Sequence, residues 1–310
     1  METGYRKLTP DHFESAEVST HESERVVGLP VGFWKGSWIR LKKNRGALIS
    51  LAVILSLFVM AFVVGPLVSA HSPYAQDLSR RFAGPSTSYW FGTDEFGRDM
   101  WSRVWAGTRV SLYIGFLAAC LDMFVGVTYG AISGFVGGRT DDVMQRGIEV
   151  LNGIPSLVVA ILAMVVLDPG IATITIALGL TGWTYMALLV RSRMLQLKEQ
   201  EFALASRSLG ASGPRLVWKH LLPNSLGPII VTLSFTVPDA IFAEAFLSFI
   251  GLGIQVPDAS LGSLISDGAG EMRFHPYLLW LPSAVFCLLM ICFNLVGDGL
   301  RDAFDPKMRK

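Results

Sequence analysis

The chain has 310 residues, of which 51% are hydrophobic and only 16% are charged, and its mean hydropathy is +0.47. Soluble globular proteins carry about a quarter charged residues, so this composition favours a membrane protein with several spans. A formal net charge of +1 gives no indication of nucleic-acid binding. Cys120, Cys287 and Cys292 lie in apolar runs, so a disulfide framework is not expected.

Apolar runs of about 20 residues predict helices that cross a lipid bilayer. Six such runs occur in this sequence, and the chain is therefore expected to be an all-α polytopic membrane protein with six transmembrane helices. The predicted helices lie at 46–70 and near 110–136, 146–167, 169–190, 226–250 and 276–297.

Polar segments separate the predicted spans. A cytoplasmic N-terminus places 20 of the 26 lysines and arginines on the cytoplasmic side, which predicts that both termini are cytoplasmic. The predicted polar segments are a tail at 1–30, an extracytoplasmic loop at 71–108, a cytoplasmic loop at 191–225 and a tail at 299–310.

Residues 31–45 precede the first span and have amphipathic character. Trp34, Trp38 and Leu41 recur at helical spacing opposite several lysines, which predicts an interfacial amphipathic helix. The same residues also fit an ordinary basic anchor whose tryptophans lie at the membrane surface.

Small residues and prolines predict local features of the spans. Gly126, Gly130 and Gly134 recur every four residues in the second span, which predicts close packing of two helices. Pro155 and Pro238 interrupt the third and fifth spans and predict kinks.

Acidic residues within lipid must face protein or water, because an ionised side chain is costly in hydrocarbon. Asp122, Glu149, Asp239 and Glu244 are in this position. They either line a polar path or make hydrogen bonds between helices. The predicted cavity wall consists of Asp122, Pro238, Asp239 and Glu244.

The sequence lacks the motifs of common catalytic sites. It contains no P-loop, no H-E-x-x-H, no G-x-S-x-G and no Cys/His spacing typical of a metal site. We therefore expect neither an enzyme nor a bound metal. An intramembrane aspartyl protease would require Asp122 and Asp239 to face each other, and a secondary transporter would require an internal repeat, which we do not find.

The segment 201–224, EFALASRSLGASGPRLVWKHLLPN, is polar between two apolar spans. Residues 201–209 predict a short helix that Gly210 ends in the left-handed conformation. Ser212 or Gly213 can cap a second short helix, with Pro214 near its first position.

This segment resembles the cytoplasmic loop of ABC importer membrane subunits, whose pattern is E-A-A, three residues, Gly, nine residues, I-x-L-P. Residues 204–206 take the E-A-A place, Gly210 the glycine and 220–223 the I-x-L-P. Leu204 stands where the family has Glu. The resemblance implies that the loop docks on an ATPase. The coupling residues it implies are Ala205, Ser206, Gly210, Ala211, Ser212, Arg215, His220 and Pro223.

Residues 89–112, 246–253 and 293–310 resemble the C-type membrane subunit of oligopeptide and dipeptide ABC importers. The resemblance covers nearly the whole chain and implies the type I ABC importer fold, with a transmembrane core at 107–298. It implies a multi-pass protein of the bacterial cytoplasmic membrane, without a cofactor of its own. A related nickel or glutathione importer has the same features.

The resemblance also implies the partners. These are a second homologous permease subunit, two ATPase subunits that bind ATP and Mg, an extracytoplasmic peptide-binding protein and a peptide substrate. The outer segment is either a face for the binding protein or an amphipathic helix that seals the domain. The residues implied for that face are Thr93, Asp94, Arg98 and Asp99.

Overall fold

The computed structural model describes residues 32–167 and 170–305, and the regular elements of these ranges are helices. The predicted tail 1–30, the start of the predicted fourth span at Pro169 and the last five residues lie outside them. We number ten helices. They are α1 Phe33–Lys43, α2 Arg45–Val68, α3 Met100–Val136, α4 Gly138–Asn152, α5 Ser156–Val166, α6 Ile171–Leu197, α7 Glu201–Ser208, α8 Gly213–Phe249, α9 Leu261–Glu271 and α10 Tyr277–Phe304.

Five of these helices, α2, α3, α6, α8 and α10, are long and apolar enough to cross a membrane. The predicted third span, near 146–167, differs from the single helix that we expected. It consists of α4 and α5, which are bent by 76° at a break between them. The break ends at Pro155, which has no N–H and disfavours a helical conformation in the residue before it. The bundle has six spans if this pair counts as one.

The bundle has two chemically distinct ends. The end that we call the basic end carries α1, α7 and the last turn of α10, and the loop end carries residues 69–99 and α9. Between them, α2, α3, α8 and α10 share an apolar core that includes Leu57, Leu112, Ile241 and Leu289. Burial of these side chains against one another holds the four helices together.

Helices α3 and α6 pack along the glycines of α3. A Cβ atom built at Gly126 would lie 2.6 Å from the Met186 Cβ atom, and one at Gly134 would lie 2.6 Å from the carbonyl oxygen of Arg191. Only a residue without a side chain permits this approach. The close helix packing that the glycine spacing predicts is therefore present, with α6 as the partner.

Helix α8 begins earlier than the predicted fifth span and is continuous from Gly213 to Phe249. The second short helix that we expected within 201–224 is its first part, and a π turn at Val217–Leu221 joins that part to the rest. This turn directly precedes Pro223, and a similar π turn at Met60–Val64 precedes Pro66. A widened turn accommodates a proline that cannot donate a backbone hydrogen bond.

Helix α1 lies against the end of α10. The Arg40 Nε atom donates a 2.8 Å hydrogen bond to the carbonyl oxygen of Ala303, and Trp34 meets the edge of Phe304. Trp34 and Trp38 remain about half exposed. With 11 residues the helix is too short to span a bilayer, and its exposed tryptophans are typical of an interfacial helix.

Gly134→Ala tests the α3–α6 packing. We expect a loss of about 1–3 kcal/mol of stability, because the new methyl group would overlap the backbone of Arg191. The matched control is Gly270→Ala on α9, where a Cβ atom would meet nothing within 4 Å. Thermal unfolding in detergent is the measurement, and equal midpoints for the two variants would contradict this packing.

Candidate functional site

The short helix α7 rests on the basic end of the bundle through one small residue. Ala203 has no exposed surface and belongs to an apolar cluster that includes Met194 of α6 and Leu216 of α8. A larger side chain at this position would push α7 away from the bundle. The packing of Ala203 therefore fixes the distance of α7 from α6 and α8.

Gly210 ends α7 as the sequence predicts. Its φ angle is +84°, in the left-handed region that glycine adopts readily. The N–H of Gly210 donates to the carbonyl oxygen of Arg207 and the N–H of Ala211 donates to that of Ser206, the Schellman pattern of helix termination. This turn directs the chain from α7 into α8 within four residues.

Three large apolar side chains on α7 and on the corner that follows it are exposed. Phe202 and Leu204 are partly exposed, and Leu209, at the corner, is 88% exposed. Exposed apolar side chains grouped on one short helix indicate a contact surface. All eight predicted coupling residues keep accessible surface. Ala205, Gly210, Ser212, Arg215 and Pro223 are exposed, and Ser206, Ala211 and His220 are partly buried.

A partly buried ion pair at the basic end ties α4 to α6. The Arg191 Nε and Nη2 atoms each donate to the carboxylate of Asp141 at 2.6 Å. Ser133 of α3 donates to the same carboxylate, and the Lys198 Nζ atom donates to the carbonyl oxygen of Gly134. Sequence reasoning missed this cluster. Its one signal was the position of Arg191 and Asp141 just beyond two apolar runs.

An open groove of about 700 Å³ lies between α6, α8 and the last turn of α10. Thr232, Phe235 and Thr236 of α8 line it together with residues of α6. Asp239 is the groove residue of α8 farthest from the basic end, and its side chain is exposed there. The cations Arg193 and Arg301 line the groove at its basic end. Of the predicted cavity wall, Asp239 alone lines this groove.

The other residues of the predicted wall are buried within the subunit. Glu244 has no exposed surface, and its carboxylate accepts hydrogen bonds from Ser111 at 2.8 Å and Ser248 at 2.7 Å. Asp122 faces Gly182 of α6, and Pro238 is buried. Glu244 and Asp122 are therefore enclosed between helices. Asp122 and Asp239 occupy different environments, which does not match a paired-aspartate catalytic site.

The residues predicted to form a binding-protein face are buried too. Arg98, for example, is 2% exposed, and its Nε atom donates to Asp94 at 2.6 Å. Thr93 accepts a hydrogen bond from the N–H of Ala83. The cap of α3 is Asp99, which accepts from the N–H of Ser102. These four side chains form the internal framework of the outer segment, because Thr93, Asp94 and Asp99 accept from backbone N–H groups and Arg98 donates to Asp94.

The exposed edge of this framework is acidic. Glu95, Asp267 and Glu271 line a pocket of about 210 Å³ at the loop end. Partial removal from water raises the pKa of Asp267 above the ordinary carboxyl value, and attraction to Arg103 opposes this rise. Asp267 therefore keeps its proton to a higher pH than an exposed aspartate does. Among the described residues, no group of three or more His, Cys, Asp or Glu side chains is arranged to hold a metal ion.

Comparison with known families agrees with this geometry. Residues 126–310 match the family "Binding-protein-dependent transport system inner membrane component", and residues 32–85 match "N-terminal TM domain of oligopeptide transport permease C". The first match contains α6, α7, α8 and α10, and therefore the groove and the short helix.

Curated relatives match over nearly the whole chain. The oligopeptide transport system permease protein OppC of Bacillus subtilis (strain 168) is 46% identical, over 98% of this chain and all of the relative. The dipeptide transport system permease protein DppC of the same strain is also 46% identical, over 99% of this chain and 96% of the relative. OppC of Escherichia coli (strain K12) is 38% identical, over 96% of this chain and 98% of the relative. The chain belongs to the binding-protein-dependent transport permeases, as a member of their permease C type.

A solved structure shows the same fold at low sequence identity. A chain of the inward-facing MetNI methionine ABC transporter superposes with a TM-score of 0.54 at 16% identity. It covers 66% of this chain and 96% of its own length. The helical core therefore shares the fold of that transporter chain.

Asp141→Asn tests the ion pair between α4 and α6. The change removes the charge that Arg191 pairs with, so we expect a loss of about 1–3 kcal/mol of stability. Asp142→Asn is the matched control, because Asp142 is exposed next to it in the chain. Thermal unfolding at equal protein concentration is the measurement. A midpoint for Asp141→Asn as high as that of the control would contradict the structural role of the pair.

Proposed function

We propose that the chain is the permease subunit of an ATP-driven peptide importer, where it forms half of the translocation path and couples that path to separate ATPase subunits. The observation that carries this proposal is α7. It is a short helix with exposed apolar side chains, fixed to the bundle by Ala203 and by the left-handed turn at Gly210. The names of the permease C relatives support peptide as the substrate.

The proposed coupling is mechanical. An ATPase subunit that covers Phe202, Leu204 and Leu209 would remove an apolar surface from water. Movement of that ATPase on ATP binding would displace α7. Because Ala203 packs against both α6 and α8, the displacement would reach both helices that line the groove. ATP and Mg would be bound by the partner ATPases.

The groove supports a path built from two subunits. It is lined from one side by α6, α8 and the end of α10, and it is open on the other. A second, homologous permease would close it. Polar residues at membrane depth are tolerated where they line a water-filled cavity.

The proposal includes the membrane arrangement. With the pair α4 and α5 as one broken span, the chain would cross the bacterial cytoplasmic membrane six times, with both termini cytoplasmic. The excess of lysine and arginine at the basic end supports this orientation. The exposed surface around the buried outer framework would meet an extracytoplasmic binding protein that delivers peptide.

Purification from native membranes through a tag on this chain tests the assembly. We expect a second permease, two ATPase chains and a peptide-binding protein in the mass spectrum. The reconstituted assembly should take up peptide only with ATP. Recovery of the chain alone, or uptake driven by an ion gradient without ATP, would contradict the proposed function.

Two variants at Gly210 test the coupling. Gly210→Val should reduce ATP-driven peptide uptake by about tenfold or more, because a β-branched residue is strongly disfavoured at the positive φ of this turn. Gly210→Asn is the matched control and should retain most of the uptake, since Asn tolerates the left-handed conformation. Both variants should insert normally. Equal uptake by the two would show that the turn has no part in transport.

A further inference from the structure

Asp239 is an unpaired acidic residue at membrane depth. It lies within α8, close to the buried Pro238, and its side chain is exposed in the groove. It makes no hydrogen bond or ion pair with any residue of 32–167 or 170–305. Glu244, one and a half turns later, shows how this fold satisfies a carboxylate that serves the structure, with hydroxyl donors from Ser111 and Ser248. Asp239 lacks such donors among the described residues.

Charges of opposite sign lie at the other end of the same groove. Arg193 is at the basic end of α6, and Arg301 is in the last turn of α10. The Arg193 guanidinium reaches Gln196 at 3.3 Å, a weak contact at the surface, and Arg301 makes no side-chain hydrogen bond within the described residues. Asp305 also lines the groove at this end, so two cations and one carboxylate lie there. The groove therefore carries a negative charge at the Asp239 end and a net positive charge at the basic end.

The distance between the two ends of the groove matches the length of a short extended peptide. The groove residues of α8 run from Pro228 to Asp239, and the eleven residue-to-residue steps between them rise by about 16 Å along a helix. An extended peptide covers about 3.3–3.6 Å per residue, so about five residues fill this length. Between the ends, Thr232 presents a hydroxyl that suits the backbone of a peptide, and Phe235 presents an aromatic ring that suits peptide side chains of varied kind.

We infer that Asp239 binds the free N-terminal ammonium of a peptide in transit, with the C-terminal carboxylate toward Arg193 and Arg301. This rests on the proposed function and adds the recognised chemical group and the orientation of the peptide. A charge-assisted hydrogen bond to the substrate explains why the fold keeps an unpaired carboxylate in a membrane span. The peptide would travel with its C-terminus leading toward the basic end.

A photoreactive tetrapeptide tests the inference on the complete, purified assembly in lipid nanodiscs. Its first residue is benzoylphenylalanine, and it is used with a free amine and in N-acetylated form, without binding protein. The measurement is the amount of peptide attached to this chain, mapped by mass spectrometry. The variants are Asp239→Asn, Asp239→Glu and, as a matched control, Asp298→Asn, since Asp298 is exposed on α10 outside the groove.

The wild type should attach the free-amine peptide about tenfold more than the acetylated one, the ratio expected from one charged hydrogen bond. Asp239→Asn should bring the ratio close to one, while Asp239→Glu and Asp298→Asn keep it high. The attachment sites of the free-amine peptide should lie near Asp239.

Three results would overturn the inference. The first is equal attachment of the two peptides to the wild type. The second is an unchanged ratio in Asp239→Asn. The third is loss of the second permease from Asp239→Asn, seen by native mass spectrometry, which would assign Asp239 to the contact between subunits. ATP-driven peptide uptake is measured separately, on the same wild-type assembly reconstituted into liposomes together with the binding protein. Its absence would refute the proposed function itself, whereas uptake with no amine preference would refute only the role of Asp239.

Discussion

The close approach of α3 and α6 along glycine is the constraint on which the rest of the arrangement depends. In lipid, apolar side chains gain little by associating with one another, so helices hold together through tight packing and hydrogen bonds. Gly126, Gly130 and Gly134 let the backbone of α6 lie against α3. This approach brings Arg191 within hydrogen-bond distance of Asp141 and the Lys198 ammonium to the carbonyl oxygen of Gly134. The basic end of α6 is thereby fixed in position.

The fixed end of α6 in turn determines which helices move when α7 is displaced. Met194 supports Ala203, the turn at Gly210 leads directly into α8, and α8 continues without a break to the groove and beyond it. A displacement of α7 therefore acts on two helices that line the groove. Under the proposed function, this arrangement would transmit a movement of the partner ATPase through α7 to the groove. Discrete, rigidly packed elements are what such a transmission requires.

The sequence predicted the features that depend on local chemistry. Apolar runs predicted the long helices, glycine spacing predicted the close packing, and Gly210 predicted a left-handed turn. Prediction from the sequence failed where tertiary contacts determine whether a side chain is buried. Glu244 and Asp239 are both acidic residues of one apolar helix, yet one is enclosed by serine hydroxyls and the other faces a groove. The resemblance implied that Arg98 and its neighbours form a face for the binding protein, but their side chains pair internally. The residue pattern of one helix does not show which hydrogen-bond donors distant parts of the chain supply.

Cryo-electron microscopy of the assembly, purified through this chain with and without ATP, tests the central claim most directly. The account predicts that Phe202, Leu204 and Leu209 are buried on an ATPase in both states. It also predicts that α7, α6 and α8 move together and that the groove with Asp239 faces a second permease. An α7 that is free of any ATPase, or a groove that faces lipid, would contradict the account.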